Sequence, residues 1–284
     1  MSRSIRLVRI AAAGIAVAAL ALTGCASGSA PASSESAAAD AGYLTPGKLT
    51  IATGETAYEP YVIDDDPASG EGFEAAVAYA VAEELGFAAD DVEWVRTSFE
   101  SAIAPGPKSF DFNIQQYTIT DERKQAVDFS SPYYEASQSV VALKGGAAEG
   151  VTDIAGLKDL VLGAMSGSTS ATTIEQAIAP TATPQLYSSN EDAVAALKAG
   201  QIDALVLDTP TAYTAVNFYI DDSFTVGELP AAGVPDQWGL LLAKDSPLTA
   251  DVTAAVDTLR ENGTLDALEE EWLAVLSEGV PQLQ

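Results

Sequence analysis

Hydrophobic and polar positions alternate along this chain with two different periods. Short apolar runs, such as residues 49–52 and 160–164, are typical of buried strands, whereas Phe73, Val77 and Val81 recur at helical spacing. Runs of the two kinds follow one another through most of the sequence. This alternation predicts an α/β fold with largely parallel sheets.

The same patterns give approximate positions for the individual elements. Strands are predicted at residues 49–52, 92–95, 110–114, 139–143, 160–164, 202–207 and 238–243. Helices are predicted at residues 73–85, 98–103 and 191–198, in the segments that precede Pro180 and follow Pro247, and from Thr264 onward. Trp272 and Leu276 of the last helix are expected in the core because of their spacing.

The first residues predict export rather than a folded element. Three arginines precede an apolar segment, residues 10–22, that is too short for a permanent membrane span, so residues 1–24 are predicted to be a secretory signal. Residues 22–25 read Leu-Thr-Gly-Cys, and Cys25 is the only cysteine, so no intrachain disulfide is possible. An ordinary signal peptide with an incidental cysteine is the alternative. Residues 25–44 are rich in Ala and Ser and predict a flexible tether.

Composition excludes several classes of function. The chain carries 41 acidic and 13 basic side chains, a net charge of −28, which disfavours nucleic acid because phosphate neutralisation needs a basic surface. It contains no histidine, so Ser-His-Asp and Cys-His catalysis are excluded and the commonest transition-metal ligand is missing. No metal or cofactor is expected. An apolar content of 48% supports a packed core.

Candidate chemistry begins at a polar segment behind the strand predicted at 110–114. Gln116 and Thr118 follow the end of that strand, and Arg123 comes five residues after the threonine. Small ligands bind at the carboxyl ends of strands in open α/β sheets. A hydroxyl and a planar guanidinium together suit a carboxylate. The alternative is an exposed turn with a solvated arginine.

Two later segments add complementary groups. Ser168 and Thr169 follow the strand at 160–164 and open a helix whose free N–H groups would form an anion site, with a simple N-cap as the alternative. Asp208 stands at the end of the strand at 202–207, where an acid would face the crevice, although aspartate is also a common turn former. The sequence therefore offers an arginine with hydroxyls that suits a carboxylate, and a separate acid near the same crevice.

The segment from Thr118 to Tyr134 resembles the signature of bacterial extracellular solute-binding proteins for polar amino acids, family 3. Similar family-like segments, including Gly72-Phe73-Glu74 and residues 199–204, extend over most of the chain. Two departures from the family pattern are present. Ala76 replaces one of its acids, and the proline-rich residues 105–108 are typical of one subgroup.

This resemblance implies a two-lobed periplasmic-binding-protein fold of type 2. Each lobe is expected to be a mixed, mainly parallel sheet flanked by helices, and two strands are expected to form the hinge. Lobe 1 comprises residues 45–136 and 238–284, and lobe 2 comprises residues 137–237. The sequence at Cys25 is similar to a lipobox, which implies cleavage before this cysteine and a lipid on its sulfur.

The resemblance also assigns roles to the candidate residues. The expected ligand-binding residues are Arg123, Thr118, Ser168 and Thr169 for a carboxylate, Asp208 for an ammonium group, and Tyr58, Glu55 and Gln116 for the walls and the ligand side chain. For Tyr58 and Glu55, a polar loop with a packed tyrosine is the alternative. Arg96 could reach an acidic ligand group or lie at a strand end, and Trp238 could contact the ligand or the core.

The resulting expectation is a monomeric, extracytoplasmic binding lipoprotein. It would capture a polar amino acid by lobe closure and deliver it to the permease of an ABC importer, held at the membrane through Cys25. A carboxylic-acid dehydratase on the same scaffold, with Glu55 as the catalyst, is one alternative, and a sensory amino acid receptor is another. The lipobox and the tether favour a binding protein over an enzyme. The identity of the amino acid is left open.

Overall fold

The computed structural model describes residues 42–230, 236–273 and 279–284. The strands in these residues are β1 (Leu49–Gly54), β2 (Val92–Thr97), β3 (Phe112–Asn113), β4 (Val127–Ala136), β5 (Gln138–Leu143), β6 (Leu162–Met165), β7 (Gln185–Tyr187), β8 (Ala204–Asp208), β9 (Ser223–Leu229) and β10 (Asp236–Ala243). The α-helices are α1 (Phe73–Glu84), α2 (Phe99–Ile103), α3 (Thr169–Thr173), α4 (Asn190–Lys198), α5 (Thr209–Thr214), α6 (Thr249–Glu261) and α7 (Thr264–Trp272). Helices α3 and α5 continue directly into π-helical turns, Ile174–Ile178 and Ala215–Tyr219.

The strands form two separate five-stranded sheets. Sheet 1 has the order β2-β1-β3-β10-β4, and sheet 2 has the order β7-β6-β8-β5-β9. In sheet 1, β1 lies parallel to β2 and β3, while β10 is antiparallel to β3 and β4. In sheet 2, β6 lies parallel to β7 and β8, while β5 is antiparallel to β8 and β9. Each sheet is therefore mixed, as expected, but it is not mainly parallel. Parallel and antiparallel strand pairs are equal in number, because β10 and β5, which begin at the lobe boundary, run antiparallel to both of their neighbours.

The chain passes from one sheet to the other at Ser137. Strand β4 ends in sheet 1 at Ala136, and β5 begins in sheet 2 at Gln138. The return lies between Leu229, which ends β9 in sheet 2, and Asp236, which begins β10 in sheet 1 and pairs with Ala136. Asp236 and Gln237 therefore belong to lobe 1, and the predicted boundary of lobe 2 at residue 237 is too late. These two connections lie side by side at the sheets, as in a hinge between two rigid bodies, and the C-terminal tail adds a third passage between the lobes.

Each lobe has its own hydrophobic core. In lobe 1, one buried cluster contains Val77 of α1, Val256 of α6 and the fully buried Trp238 of β10. In lobe 2, Leu162 of β6 packs with Ile174 in the π-helical turn after α3. Full burial of such a side chain stabilises a fold by about 1.5–3 kcal/mol. Separate cores allow the two lobes to move as units.

The beginning of lobe 1 lies earlier than the sequence indicates. The ring of Tyr43 lies 4.9 Å from the ring of Phe87, and the backbone N–H of Leu44 donates to Oδ1 of Asp111 at 2.8 Å. The end of the segment predicted as a tether, residues 42–44, is therefore packed. The predicted signal peptide, Cys25 and the rest of that tether lie outside the described residues, as does Leu276.

The end of the chain packs on lobe 2. Leu283 is buried in the core that contains Leu229, and the backbone N–H of Glu228 donates to the carbonyl of Pro281 at 2.7 Å. The assignment of all of residues 238–284 to lobe 1 does not hold for this tail, because Leu283 lies in the lobe 2 core and Gln282 bridges to Glu228 of β9. Among the helices of the described residues, none has both the length and the apolar character of a membrane span.

Candidate ligand-binding site between the two lobes

A cavity of about 280 Å³ opens between the lobes. The segments that follow β1, β2 and β3 line it from lobe 1, and those that follow β6, β7 and β8 line it from lobe 2. All six strands run parallel to a neighbour, so the cavity lies where the carboxyl ends of parallel strands leave their sheets. The predicted residues that line it are Arg123, Asp208, Ser168, Thr169, Tyr58, Glu55 and Gln116.

Arg123 contributes a buried guanidinium to this cavity. Its Nη1 donates to the carbonyl of Thr118 at 2.7 Å, and its Nη2 donates to the carbonyl of Gly167 at 2.8 Å. The guanidinium carbon lies 5.4 Å from the ring centre of Phe99, within the range of a cation–π contact. Burial lowers the pKa of Arg123, but an arginine stays charged in proteins. Because Gly167 belongs to lobe 2, this cation already bridges the two lobes.

The two hydroxyl residues at the start of α3 have different partners. Oγ of Ser168 accepts from the N–H of Ala171 at 3.2 Å and donates to the carbonyl of Met165 at 2.7 Å, so it acts as the N-cap of the helix. Oγ1 of Thr169 lies 3.3 Å from Oγ1 of Thr118 and donates to Asp236 at 3.0 Å. Of the two, only Thr169 directs its hydroxyl across the lobe boundary. Thr118 is buried and does not line the cavity itself.

Asp208 supplies an acid at the end of β8. Its Oδ1 accepts a hydrogen bond from Nε2 of Gln138, and the same nitrogen donates to Oδ2 of Asp236 at 2.6 Å. Burial first, and then the charge of Asp236, raises the pKa of Asp208 to about 8, although the Gln138 bond and Arg123 act in the opposite direction. A pKa raised in this way favours the protonated form of the Asp208 carboxyl.

Tyr58 and Glu55 lie on the loop after β1. The ring of Tyr58 packs against Tyr219 of lobe 2 at 6.2 Å, and its hydroxyl is buried with no hydrogen-bond partner. An unpaired buried hydroxyl costs free energy, so a ligand atom that bonded to it would gain affinity. The side chain of Glu55 is exposed at the cavity mouth.

Gln116 is held in place by hydrogen bonds to Glu74, an acid for which the sequence predicted no role in the site. It has a left-handed backbone with φ of 51°, and its backbone N–H donates to Oε1 of Glu74 at 2.8 Å. The Gln116 side-chain amide and the hydroxyl of Tyr133 also donate to this carboxylate. Glu74 is fully buried, and burial raises its pKa to about 7. The sequence did contain a signal for this burial, because Glu74 lies between Phe73 and Val77 on the apolar face of α1.

Arg96 and Trp238, whose roles the sequence left open, both make contacts within lobe 1 and not with the cavity. Arg96 is the second-last residue of β2. It donates from Nη1 to Oδ1 of Asp65 at 2.6 Å and from Nη2 to the Asp65 carbonyl at 2.6 Å. Trp238 is fully buried, with its ring 4.8 Å from that of Tyr134, and its Nε1 has no partner. Neither residue lines the cavity.

Two residues missed by sequence reasoning, Gln138 and Asp236, complete the polar groups near Asp208. Each is the first residue of a strand, β5 and β10, and a polar residue at a strand start carries no distinctive signal. Within the described ranges, no group of three or more Asp, Glu or Cys side chains is arranged to hold a metal ion.

The fold and the site define a two-lobed solute-binding protein whose ligand cavity is built from the strand ends of both lobes. The chain belongs to the bacterial extracellular solute-binding proteins, family 3, which it matches over residues 49–275.

Individual relatives agree with this assignment. The L-arginine-binding protein of Pseudomonas aeruginosa is 27% identical over 234 residues, which cover 78% of this chain and 86% of the relative. The ABC transporter glutamine-binding protein GlnH of Bacillus subtilis is 29% identical over 213 residues, covering 73% and 75%. A solved structure of an ancestral arginine-binding protein bound to glutamine is 31% identical, with a TM-score of 0.67 over 81% of this chain and 99% of that one. These comparisons confirm the predicted family and the two-lobed fold.

Proposed function

We propose that this protein captures a free amino acid between its lobes, as the extracytoplasmic receptor of an ABC importer. The observation that carries the proposal is that Arg123 from lobe 1 and Asp208 from lobe 2 line one cavity. A cation and an acid on opposite walls match the two charges of an α-amino acid. Relatives named for arginine and for glutamine support the same ligand class.

In this proposal the ligand carboxylate binds Arg123. Its guanidinium has five N–H donors, and two of them already bond to backbone carbonyls, so three remain for the ligand. Thr169 adds its hydroxyl from lobe 2, and Asp208 accepts the ammonium group. Charge-assisted hydrogen bonds contribute about 1.5–3 kcal/mol each. Three or four of them, less the cost of immobilising the ligand, are enough for micromolar binding.

Ligand binding would favour lobe closure because only the closed form lets both lobes contact the ligand. The closed protein would then dock on a permease and release its ligand there. We propose that it is a monomer, attached to the outer face of the cell membrane by a lipid on Cys25. Mass spectrometry of the protein extracted from membranes would detect that lipid, and a Cys25→Ala variant would be found in the soluble fraction.

A thermal-shift screen of the twenty amino acids, cystine and ornithine tests the ligand class. A ligand at 100 times its dissociation constant stabilises the folded protein by about 2.7 kcal/mol. We expect a shift with at least one polar amino acid and none with its N-acetylated form. No shift with any of them, confirmed by calorimetry, would overturn the proposal.

Two variants test the assigned roles. Arg123→Ala and Asp208→Ala should each abolish the ligand-induced shift, while the melting temperature without ligand reports whether each variant is folded. Lys124→Ala is a matched control, because Lys124 is exposed beside Arg123 and only pairs with Asp121 at 3.8 Å. A normal response from a folded Arg123→Ala variant would show that the carboxylate role is wrong.

The dehydratase alternative depends on Glu55 as the catalytic acid. Its side chain is exposed at the cavity mouth, whereas general acids gain from burial that tunes them toward neutral pH. We therefore propose that the protein is not an enzyme. Incubation with prephenate and analysis of the products would test this, since any turnover would favour the enzyme. A sensory receptor would bind the same ligand, and loss of amino acid uptake on deletion distinguishes import from sensing.

A further inference from the structure

Two carboxylates share one amide group beside the ligand cavity. Nε2 of Gln138 donates to Asp208 and to Asp236, and an amide nitrogen has two hydrogens, so each carboxylate takes one. Oε1 of Gln138 accepts from Oγ of Ser170 at 2.7 Å, which fixes the orientation of the amide. Gln138 is buried, so this link is shielded from water. The two acids are therefore held close together by a rigid bridge.

The two acids come from different lobes. Asp208 ends β8 in sheet 2, whereas Asp236 begins β10 and pairs with Ala136 in sheet 1. Asp236 also accepts from the hydroxyl of Thr169, a lobe 2 residue, at 3.0 Å. In the closed arrangement of the lobes, both carboxylates therefore lie within hydrogen-bond reach of the same amide nitrogen.

The charges around Asp208 are predominantly negative. The charged or titratable groups that interact electrostatically with Asp208 are Asp236, Glu74, Arg123, Tyr61 and Tyr134. Arg123 is the one cation among them, and two of its N–H groups are committed to backbone carbonyls. Burial and the charge of Asp236 both favour the neutral acid at Asp208. Among the described residues that act on Asp208, no second cation accompanies Arg123 to keep both carboxylates ionised.

We infer that burial and the charge of Asp236, which Gln138 holds beside Asp208, keep Asp208 protonated in the ligand-free site, so that a ligand ammonium group binds by displacing that proton. The inference rests on the proposed amino acid-binding function. The O–H bond of Asp208 breaks, its proton passes to solvent, and the resulting carboxylate pairs with the incoming ammonium. Asp236 is a positioning residue in this scheme, because it acts on the ligand through Asp208.

This arrangement would also provide discrimination. A ligand with a hydroxyl in place of the ammonium brings no positive charge, so it cannot compensate the two carboxylates once the proton has left. Such a ligand would have to bind to the protonated acid, with a neutral hydrogen bond instead of an ion pair. We expect the site to prefer an α-amino acid strongly over the corresponding α-hydroxy acid, and the preference to fall in an Asp236→Asn variant.

The first test needs no ligand. In protein labelled with carboxyl ¹³C-aspartate, the Asp208 signal is assigned by its disappearance in Asp208→Asn and titrated by NMR in the wild type and in Asp236→Asn. We expect a midpoint near pH 8 in the wild type and one about one pH unit lower in Asp236→Asn, the effect of removing a like charge. Asp91→Asn, which alters a surface pair with Lys48, should leave it unchanged. Equal midpoints in the wild type and Asp236→Asn would overturn the inference.

The second test counts protons on binding. L-arginine and L-glutamine are titrated calorimetrically at pH 7 in two buffers that differ in ionisation enthalpy. The wild type should release close to one proton per ligand, and Asp236→Asn should release fewer. Binding without proton release in the wild type would overturn this inference while leaving the proposed function intact. Absence of binding to any amino acid would overturn the proposed function, and the NMR titration would still decide the role of Asp236.

Discussion

The hydroxyl of Tyr61 in lobe 1 lies 2.8 Å from the hydroxyl of Thr211 in lobe 2. Tyr61 is only 2% exposed, so this contact is largely shielded from water. It adds to the bridges made by Arg123 and Thr169, and it does so at the edge of the cavity, which Thr211 lines. The contact is therefore positioned to stabilise the closed form specifically.

Thr211→Val should weaken ligand binding without destabilising either lobe. A typical hydrogen bond contributes about 0.5–1.5 kcal/mol, so the affinity should fall by roughly 2- to 10-fold. The measurement is calorimetry with the amino acid identified by the thermal-shift screen, together with the melting temperature of the unliganded variant.

Thr214→Val provides the control for that variant. Thr214 lies in the same helix, and its hydroxyl donates to the carbonyl of Pro210 at 3.1 Å within lobe 2. The Thr214→Val variant should leave the ligand affinity unchanged. If both variants lost affinity equally, the Tyr61 contact would have no special role in closure.

Arg96 holds the loop that carries Tyr58. Its guanidinium bonds to the carbonyl of Gly54 at 2.9 Å and makes two bonds to Asp65. Asp64 and Asp65 are consecutive residues with left-handed φ values of 53° and 55°, a conformation that aspartate tolerates better than most residues other than glycine. The arginine therefore ties this turn to the end of β1, beside a cavity wall.

Arg96→Met should lower ligand affinity more than it lowers stability. The Arg96–Asp65 pair is partly exposed, so its loss should cost less than about 1 kcal/mol of folding free energy. The loosened loop should exchange its amide hydrogens faster and bind ligand more weakly. Lys48→Met, at the opposite end of the same strand pair, is the control, because Lys48 makes a similar surface pair with Asp91 at 3.0 Å. Unchanged affinity in Arg96→Met would show that the loop holds its shape without the arginine.

The sequence predicted seven of the ten strands in the described residues, because β1, β2, β3, β5, β6, β8 and β10 contain apolar runs. It missed β4, β7 and β9, and a physical reason is evident for β4 and β7. Strand β4 contains Pro132 and has irregular burial where its register with β10 shifts at Gly239, so it shows no regular alternation. Strand β7 is a short edge strand and is largely exposed.

The site was predictable only where a residue follows a strand end in the chain. Arg123, Thr169 and Asp208 are of this kind, and the structure brings all three to one cavity. Gln138 and Asp236 reach Asp208 through tertiary pairing between distant strands, which no local pattern reports. The π-helical turns after α3 and α5 were also invisible, because their apolar spacing differs little from that of an α-helix.

Ser168 and Thr169 should respond differently to removal of their hydroxyls. Ser168→Ala removes the N-cap of α3 and should destabilise the protein by about 1 kcal/mol, with a small effect on affinity. Thr169→Val keeps the helix start but removes the donor to Asp236, so it should weaken binding and leave the melting temperature nearly unchanged. Urea denaturation and calorimetry on both variants measure the two effects. The reverse pattern would exchange the roles assigned to these residues.

The unliganded protein should lose stability as the pH rises from about 4 to about 8. Burial raises the pKa of Asp208 to about 8 and that of Glu74 to about 7, whereas both are ordinary acids in the unfolded chain. Between the unfolded and the folded values, the native state binds more protons than the unfolded state. Unfolding then releases protons, so its free energy falls with increasing pH and becomes level above the folded pKa.

Repulsion within a chain of net charge −28 also weakens the fold at higher pH, so the informative quantity is a difference between variants. Asp208→Asn cannot ionise and should lose less stability than the wild type over this range, by up to about 1.4 kcal/mol per pH unit. Urea denaturation at pH 5, 6, 7 and 8 at constant ionic strength measures it, with Asp91→Asn as the exposed control. Parallel curves for the wild type and Asp208→Asn would show that Asp208 titrates as it does in the unfolded chain. A saturating amino acid should flatten the wild-type curve, because the bound ammonium keeps Asp208 ionised throughout.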